Sequence, residues 1–315
     1  MKVAALAGGV GGAKLADGLA AVLPPEDLTI IVNTGDDFEH LGLTICPDVD
    51  TVIYTLAGMA HPESGWGRRD ETWAFLETLG VLGGPTWFRL GDRDMALHVL
   101  RTDRLRAGQP LSQIVRDAAQ ALGVRPRVLP MSDDRVRTIV RTIEGELSFQ
   151  EYFVARRFEP AVVGFRFEGA ASARPAPDVV ESLERADLVV LCPSNPWVSL
   201  DPILAVPGVR EAVSRRPVVG VSPIISGRAV KGPAAKMFQE LGIAPSPVAV
   251  AEHYHGLLAG LVIDKADAAL SPAVEAAGVR ASVQPTWMRK PGDRRRLARA
   301  VLELAAELRR QPAAP

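Results

Sequence analysis

Four aspartates lie close together in the first part of the chain. Asp36 and Asp37 end the run NTGDD, and Asp48 and Asp50 belong to the run CPDVD. Neighbouring carboxylates repel one another, so their coexistence is most simply explained by a cation or by hydroxyl donors that face them. Mg²⁺ prefers such oxygen ligands, keeps several waters and bridges phosphate groups. The four aspartates therefore predict a Mg²⁺ site for a diphosphate compound.

Each aspartate also has an ordinary structural explanation. The run NTGDD is typical of a turn, and Asp50 could be the N-cap of the apolar helix that follows it. If the DVD segment is extended, the side chains of Asp48 and Asp50 point to opposite sides, and only one of them reaches a metal. The residues alone leave these alternatives open.

A glycine-rich run, AGGVGGAK at residues 7–14, precedes the aspartates. Glycine tolerates positive φ and lets a ligand approach the backbone, while a helix that starts there offers unpaired N–H groups and a positive dipole end. We therefore expect this run to bind a phosphate or diphosphate. The predicted phosphate-binding residues are Gly9, Val10, Gly11, Gly12 and Lys14.

The glycine run departs from two well-known phosphate-binding motifs. Lys14 stands where the dinucleotide fingerprint has its third glycine, and Leu15 stands where the P-loop has Ser or Thr. A tight turn that closes a strand–helix unit, with a solvated Lys14, stays an alternative.

The elements that must position these residues are strands and helices in alternation. Residues 3–7 and 28–32 are apolar runs typical of buried strands, and residues 15–23 repeat apolar positions at helical spacing. Two later apolar strands end at Ser194 with Asn195 and at Ser222, where ligands bind in open α/β sheets. Residues 60–125 read as mostly helical, and residues 129–158 as a hairpin.

The predicted fold is therefore α/β. We expect a Rossmann-like, mostly parallel sheet flanked by helices, with a helical insertion and a β-hairpin region over the active site. Residues 1–60 and 170–315 would form the nucleotide-binding core, and residues 61–169 the inserted region.

Composition excludes several classes of protein. The 36 Lys and Arg residues balance 37 Asp and Glu residues, so there is no basic field for nucleic acid. The two cysteines, Cys46 and Cys192, are far apart, which argues against a disulfide scaffold and a structural zinc site. No apolar run approaches 18 residues. We expect a soluble cytoplasmic protein that binds small molecules, without a membrane or nucleic-acid partner.

Eight motifs in one order carry a resemblance over nearly the whole chain. They are AGGVGGAKL, NTGDD, CPDVDTVIYTLAG, GWGRRDETW, WFRLGDRDMALH, FQEYFV, PSNPWVSLDPIL and SPIISGRAVKGPAAKM. In these motifs the chain resembles the 2-phospho-L-lactate transferase family of coenzyme F420 biosynthesis. The resemblance implies transfer of a phospholactyl or, in bacteria, a phosphoenolpyruvyl group from a guanosine-diphospho donor to the ribityl hydroxyl of the deazaflavin Fo. GMP leaves, and the resemblance further implies a Mg²⁺ requirement and a homodimer.

The resemblance also implies roles for the candidate residues. The donor diphosphate would lie on the glycine run, and Mg²⁺ held by Asp37 and Asp50 would offset the phosphate charge. An aspartate of this group could accept the hydroxyl proton, and Ser194 and Asn195 are placed to meet the guanine. The residues expected on the acceptor side, in the inserted region and beside it, are Asp50, Trp87, Phe88 and Arg93.

Two other classes of protein share parts of this pattern. A non-catalytic nucleotide-sugar-binding regulator of the gluconeogenesis-factor type would share the glycine run and the sheet, but it would not need the GWGRRDETW and GDRD motifs. An NAD(P) oxidoreductase would need a third glycine and an acid at the end of the second strand, where Asn33 stands. The motifs favour the enzyme, with the donor open among lactate, enolpyruvate and glycerate.

Overall fold

A computed structural model of the protein describes residues 1–310. Its strands are β1 (Val3–Ala7), β2 (Leu28–Val32), β3 (Phe38–His40), β4 (Leu43–Ile45), β5 (Arg127–Pro130), β6 (Arg137–Thr142), β7 (Gly145–Ser148), β8 (Val162–Glu168), β9 (Leu188–Leu191), β10 (Val218–Val221), β11 (Ile224–Ile225), β12 (Arg228–Ala229), β13 (Gly260–Asp264) and β14 (Arg280–Gln284). Its helices are α1 (Gly9–Ala20), α2 (Pro47–Leu56), α3 (Ala74–Val81), α4 (Asp92–Arg106), α5 (Leu111–Ala121), α6 (Val179–Arg185), α7 (Asp201–Leu204), α8 (Val209–Ser214), α9 (Ala234–Glu240), α10 (Pro247–His253), α11 (Ser271–Ala276) and α12 (Pro291–Arg310).

Seven strands form one parallel sheet in the order β14-β13-β10-β9-β1-β2-β5. From β1 the chain builds outward first to β2 and β5, and then on the other side to β9 and the later strands. The crevice at the carboxyl ends of β1 and β9 is thus the topological switch point, where open α/β sheets bind ligands. The predicted Rossmann-like, mostly parallel sheet is confirmed.

The sheet is covered on both faces, which explains its unbroken apolar strands. Along β1, Ala5 belongs to a core that includes Leu15 of α1 and Val301 of α12, whereas Leu6 belongs to the opposite core with Val179 of α6. Alternate residues of a strand point to opposite faces, so every position of β1 is buried. The sheet is the middle layer of three.

The last helix, α12, packs against α1 at close range. Its apolar face is buried, and a Cβ added to Gly18 of α1 would overlap the carbonyl oxygen of Arg294. Gly18 therefore permits the close approach of the two helices. Although α12 has 20 residues, neither it nor any other helix within residues 1–310 is long and apolar enough to cross a bilayer.

The helices α3, α4 and α5 and the antiparallel sheet β7-β6-β8 lie between β4 and α6 in the chain. Carboxylates bind the first N–H groups of both α3 and α4. Asp92 of α4 accepts the N–H groups of Ala74 and Phe75, and Glu71, in the segment before α3, accepts those of Arg93 and Asp94. Strand β5 falls within the predicted insertion of residues 61–169, yet it is the edge strand of the central sheet beside β2. The domain boundaries themselves stay a prediction.

Candidate functional site

A cavity of about 680 Å³ lies at the switch point of the sheet. Its lining includes the start of α1 and the loops after β2, β9 and β10. Aromatic side chains from the segments that connect the helices and strands of residues 61–169 complete it. The predicted site residues in the lining are Gly9, Val10, Gly11, Lys14, Asp36, Asp48, Trp87, Phe88, Ser194, Asn195 and Ser222. The predicted residues outside it are Gly12, Asp37, Asp50 and Arg93.

The glycine run forms the first turn of α1, not a loop that precedes the helix. The helix begins at Gly9 directly after its N-cap, Gly8. The N–H of Gly8 donates to Ser194 Oγ (3.1 Å), and the N–H of Gly9 donates to Asp48 Oδ1 (2.7 Å). The next N–H groups have no acceptor within a helix that starts here. An anion at this turn would therefore meet the N–H groups from Val10 onward.

The glycines of this turn serve different purposes. Gly9 has φ +61, where glycine costs least, and a Cβ built on it would meet nothing within 4 Å. A Cβ on Gly11 would overlap the carbonyl oxygen of Pro193, and one on Gly12 would lie 2.6 Å from Ser194 Oγ. Gly11 and Gly12 therefore let α1 approach the loop after β9. Gly9 is the position of this turn that faces open space.

Asp48 and Asp50 lie in the first turn of α2 and not in an extended segment. The helix begins at Pro47 after the N-cap Cys46, so the alternative that Asp50 is the N-cap is wrong. Residues two apart on a helix point to different sides. Asp48 faces the glycine turn, where it accepts the Gly9 N–H and, at 2.9 Å, the side-chain amide of Asn33. Asp48 thus anchors the turn.

Asp50 points instead into a buried polar cluster with α4. Its carboxylate pairs with the guanidinium of Arg101, which is 1% exposed, and its Oδ2 lies 3.7 Å from His98 Nδ1. The Nε2 of the same histidine lies 3.3 Å from Asp94 Oδ2, and the hydroxyl of Tyr54 donates to Asp94 Oδ1 (2.6 Å). Our sequence analysis missed this cluster. The spacing of residues 94, 98 and 101 on one face of a helix is the signal that could have indicated it.

Unpartnered oxygens show which carboxylates could still bind a cation. Asp36 Oδ1, Asp37 Oδ1 and Asp50 Oδ2 are buried without a hydrogen-bond partner, whereas both oxygens of Asp48 are bonded. Across residues 1–310, the group of three acidic, His or Cys side chains whose ligand atoms lie within 4.8 Å of one another is Asp50, Asp94 and His98. The four predicted aspartates therefore do not converge on one point, although Mg²⁺ needs only one or two carboxylates when waters and phosphates complete its shell.

Burial dominates the protonation of these carboxyl groups. It raises the pKa of Asp37 to about 7 and the pKa of Asp48 to about 6. Burial, with the neighbouring charge of Asp48, raises the pKa of Asp36 well above its usual value. Without a cation, Asp36 and Asp37 therefore retain protons at a higher pH than an exposed aspartate does, so a metal that binds there would displace protons.

The raised pKa of Asp37 predicts that the metal-free protein loses stability as the pH rises. Between its ordinary value of 3.8 and about 7, the folded state holds a proton that the unfolded state has released. Stability therefore falls across this window, by at most about 4 kcal/mol for this group. Asp37→Asn should flatten the fall, as measured by urea unfolding in chelator from pH 4 to pH 8.

A matched control for this experiment is Asp103→Asn, which changes an exposed aspartate of α4 that has no ion pair within residues 1–310. It should keep the slope of the wild type. Equal slopes for Asp37→Asn and the wild type would show that Asp37 does not retain its proton in the folded state.

Three polar side chains predicted to bind the nucleotide are engaged with backbone. Ser194 Oγ donates to the carbonyl of Gly8 (2.7 Å), Asn195 Oδ1 accepts the N–H of Trp197, and Ser222 Oγ donates to the carbonyl of Ile224. Each side chain fixes a loop at the carboxyl end of β9 or β10. Recognition of guanine by Ser194 and Asn195, and a nucleotide contact of Ser222, stay predictions.

The aromatic wall of the cavity has its own packing. The ring of Trp87 lies 5.1 Å from that of His40, and Phe88 lies 4.8 Å from Phe38, both edge to face. Arg93 does not line the cavity; Arg89, which sequence analysis missed, does. The wall therefore presents the rings of Trp87 and Phe88 together with the guanidinium group of Arg89.

Comparisons with known proteins show which family and which fold the chain is similar to. Residues 3–284 match the family model described as 2-phospho-L-lactate transferase CofD. The chain is 46% identical to a phosphoenolpyruvate transferase of Streptomyces griseus, covering 98% of the chain and 100% of that protein. It is 40% identical to a 2-phospho-L-lactate transferase of Methanosarcina acetivorans, covering 95% and 97%. A solved structure of a upf0052 family protein from Bacillus halodurans shares the fold, with a TM-score of 0.63 at 18% identity over 96% of this chain and 99% of that one.

Proposed function

The chain belongs to the 2-phospho-L-lactate transferase CofD family, and on that premise we propose its reaction. The chain is a transferase that moves a 2-phospholactyl or phosphoenolpyruvyl group from a guanosine-diphospho donor to the ribityl hydroxyl of Fo. GMP is released, and the product enters coenzyme F420 biosynthesis. The observation that carries this proposal is one cavity lined both by the glycine turn of α1 and by the rings of Trp87 and Phe88.

The glycine turn supports the donor half of the proposal. N–H groups at the start of a helix and the positive dipole end stabilise phosphate oxygens. Asp48 holds the first amide of the turn, which fixes the orientation of the ones that follow. The donor diphosphate would lie along these N–H groups, with Lys14 beside it in the same lining.

The unpartnered aspartate oxygens fit a hard cation such as Mg²⁺. Asp36 lines the cavity, and Asp37 and Asp50 lie behind the lining, each with one free buried oxygen. A Mg²⁺ ion held here would supply positive charge against the phosphates of the donor. The buried Arg101 keeps the Asp50 carboxylate in place from the other side.

The transfer step needs a hydroxyl nucleophile and a proton acceptor. The hydroxyl oxygen of Fo would form a bond to the phosphorus that carries the lactyl or enolpyruvyl group, while the bond from that phosphorus to the bridging oxygen breaks and GMP leaves with the electron pair. We assign the proton to the carboxylate of Asp36, the aspartate of the three that lines the cavity. A bound cation would keep this carboxyl group ionised until the step, and its raised pKa then favours the protonated form. The family also suggests a homodimer for this chain.

A ligand comparison tests the proposed nucleotide. Thermal unfolding would be followed with GDP, UDP-N-acetylglucosamine and NAD, each with Mg²⁺. Stabilisation by GDP above the other two supports the proposal, since a ligand that binds only the folded state raises the unfolding temperature. A larger shift with the UDP-sugar would favour the non-catalytic regulator instead, and a larger shift with NAD an oxidoreductase.

The acceptor side is tested by tryptophan fluorescence. Fo should quench the emission, because its flat ring would stack near Trp87. Trp87→Ala should weaken Fo binding about tenfold, and Trp87→Phe should restore most of it. Trp73→Phe is the control, since Trp73 lies outside the cavity under Arg89. Unchanged Fo affinity in Trp87→Ala would move the acceptor slot to the stacked rings of Phe149 and Phe153.

A further inference from the structure

Lys231 connects two rims of the cavity. It lies in the loop between β12 and α9, and its Nζ donates to the carbonyl oxygens of Glu63 (2.8 Å) and Ser64 (2.5 Å) in the segment after α2. Lys231 and Ser64 both line the cavity. An ammonium group therefore stands at the cavity wall, held there by neutral acceptors.

The backbone around Lys231 has one fixed side and one free side. The β11–β12 hairpin turns at Ser226 and Gly227, both with positive φ, as a two-residue hairpin turn requires. The carboxylate of Asp267 accepts the N–H of Ser226 at 3.0 and 3.1 Å, which anchors that turn. Gly232 follows with φ +74 and nothing within 4 Å of a built Cβ. Lys231 thus projects from an anchored hairpin next to a permissive backbone position.

Lys14, a second lysine of the cavity, also donates to a backbone carbonyl. The Nζ of Lys14 donates to the carbonyl oxygen of Met288 (3.1 Å). Burial lowers the pKa of Lys14, and the positive charges of Arg294 and Lys231 lower it further. The ammonium groups of Lys14 and Lys231 therefore repel each other. Within the described residues 1–310, neither lysine has a carboxylate within 4.0 Å.

Two ammonium groups in one cavity without counter-ions favour an anionic ligand. A carbonyl oxygen is a weaker acceptor for an ammonium than a phosphate or carboxylate oxygen is. The lysine stem is flexible and carries three donors, so Lys231 can reach a new acceptor without a change of fold. The glycine turn offers N–H groups to the same anion from the α1 side.

We propose that Lys231 is a donor-binding residue that acts opposite Lys14 on an organic diphosphate. On binding, its ammonium exchanges the Glu63 and Ser64 carbonyls for phosphate oxygens, so the donor itself joins the two rims. This inference rests on the proposed function for the identity of the donor. The chemistry that it requires is broader, since any ligand with two adjacent phosphates meets the same two cations.

The test measures GDP and pyrophosphate affinities by calorimetry for Lys231→Met, Lys231→Arg and the wild type. Lys231→Met should weaken both ligands by 10- to 100-fold, the usual range for one charge-assisted hydrogen bond. Lys231→Arg should recover most of the affinity because it keeps the charge. Lys265→Met removes an exposed lysine outside the cavity and should bind as the wild type does.

The outcomes separate this inference from the proposed function. If the wild type binds GDP and Lys231→Met binds it equally well, Lys231 is only a bridge between loops and the inference is overturned. If the wild type does not bind GDP but binds pyrophosphate, and Lys231→Met weakens that binding, the proposed guanosine donor is wrong and the inference about Lys231 holds. Loss of affinity in Lys231→Arg as large as in Lys231→Met, with folding intact, would also overturn the role of the charge.

Discussion

Asp36→Asn should lose at least about a hundredfold in turnover while its affinity for GDP stays within about threefold of the wild type. Asparagine has the shape of the protonated carboxyl group that burial favours in Asp36, so the fold should persist. It cannot accept the hydroxyl proton or provide a charged ligand to a cation, and removing such a group costs several kcal/mol of transition-state stabilisation. Steady-state kinetics and calorimetry with GDP give the two quantities.

The contrasting variant is Asp48→Asn. Its oxygen can still accept the Gly9 N–H, but its new amide would face the amide of Asn33, whose own oxygen is already bonded to the Gly35 N–H. Two donors then oppose each other, so the glycine turn loses its anchor and GDP binding should weaken. If Asp36→Asn instead weakens GDP binding as much as it lowers turnover, Asp36 serves donor binding and not the transfer step.

Asp50→Asn is a less informative change than the sequence alone suggests. It would leave the buried guanidinium of Arg101 without its partner carboxylate, and breaking a buried pair costs about 3–5 kcal/mol. Loss of activity in that variant would therefore report on folding as well as on catalysis.

Gly9→Val should abolish measurable GDP binding while the protein remains folded. The valine side chain would project into the open space beside the first turn of α1, where the donor phosphates would lie. A non-glycine residue at φ +61 costs about 1–2 kcal/mol, which a domain of this size can tolerate. Calorimetry with GDP, together with the unfolding midpoint, measures both effects.

Gly278→Val is the matched control. Gly278 has φ +82 and an equally open Cβ position, but it follows α11 and lies outside the cavity. The two variants should lose similar stability, and only Gly9→Val should lose GDP binding. Wild-type GDP affinity in Gly9→Val would place the diphosphate elsewhere. Gly11→Val does not serve this purpose, because its side chain would overlap the carbonyl of Pro193 and disturb packing.

Local sequence signals predicted the elements of the site well. These signals lie within short stretches of the chain: the apolar run of β1, the glycines after it and the helical spacing from Leu15 onward. The structure confirms that strand and that helix. The sequence could not distinguish Gly11, which packs against another loop, from Gly9, which faces open space. The reason is that Gly11 contacts Pro193, which is far away in the chain.

Local sequence patterns could not reveal which polar groups of the site bind one another. Asp50 meets Arg101 across 51 residues, and Gly9 meets Asp48 across 39. Such pairs depend on how helices cross over the sheet, which composition and periodicity do not encode. For the same reason four aspartates that are close in sequence separate into an anchor, Asp48, and three carboxylates with free oxygens.

Product analysis tests the central claim most directly. The purified chain would be incubated with Mg²⁺, Fo and the guanosine-diphospho donor that carries lactate or enolpyruvate, and the mixture would be analysed by mass spectrometry. We predict equal amounts of GMP and of Fo linked through a phosphodiester to the transferred group. Release of GMP without a modified Fo, or no reaction with either donor, would contradict the claim.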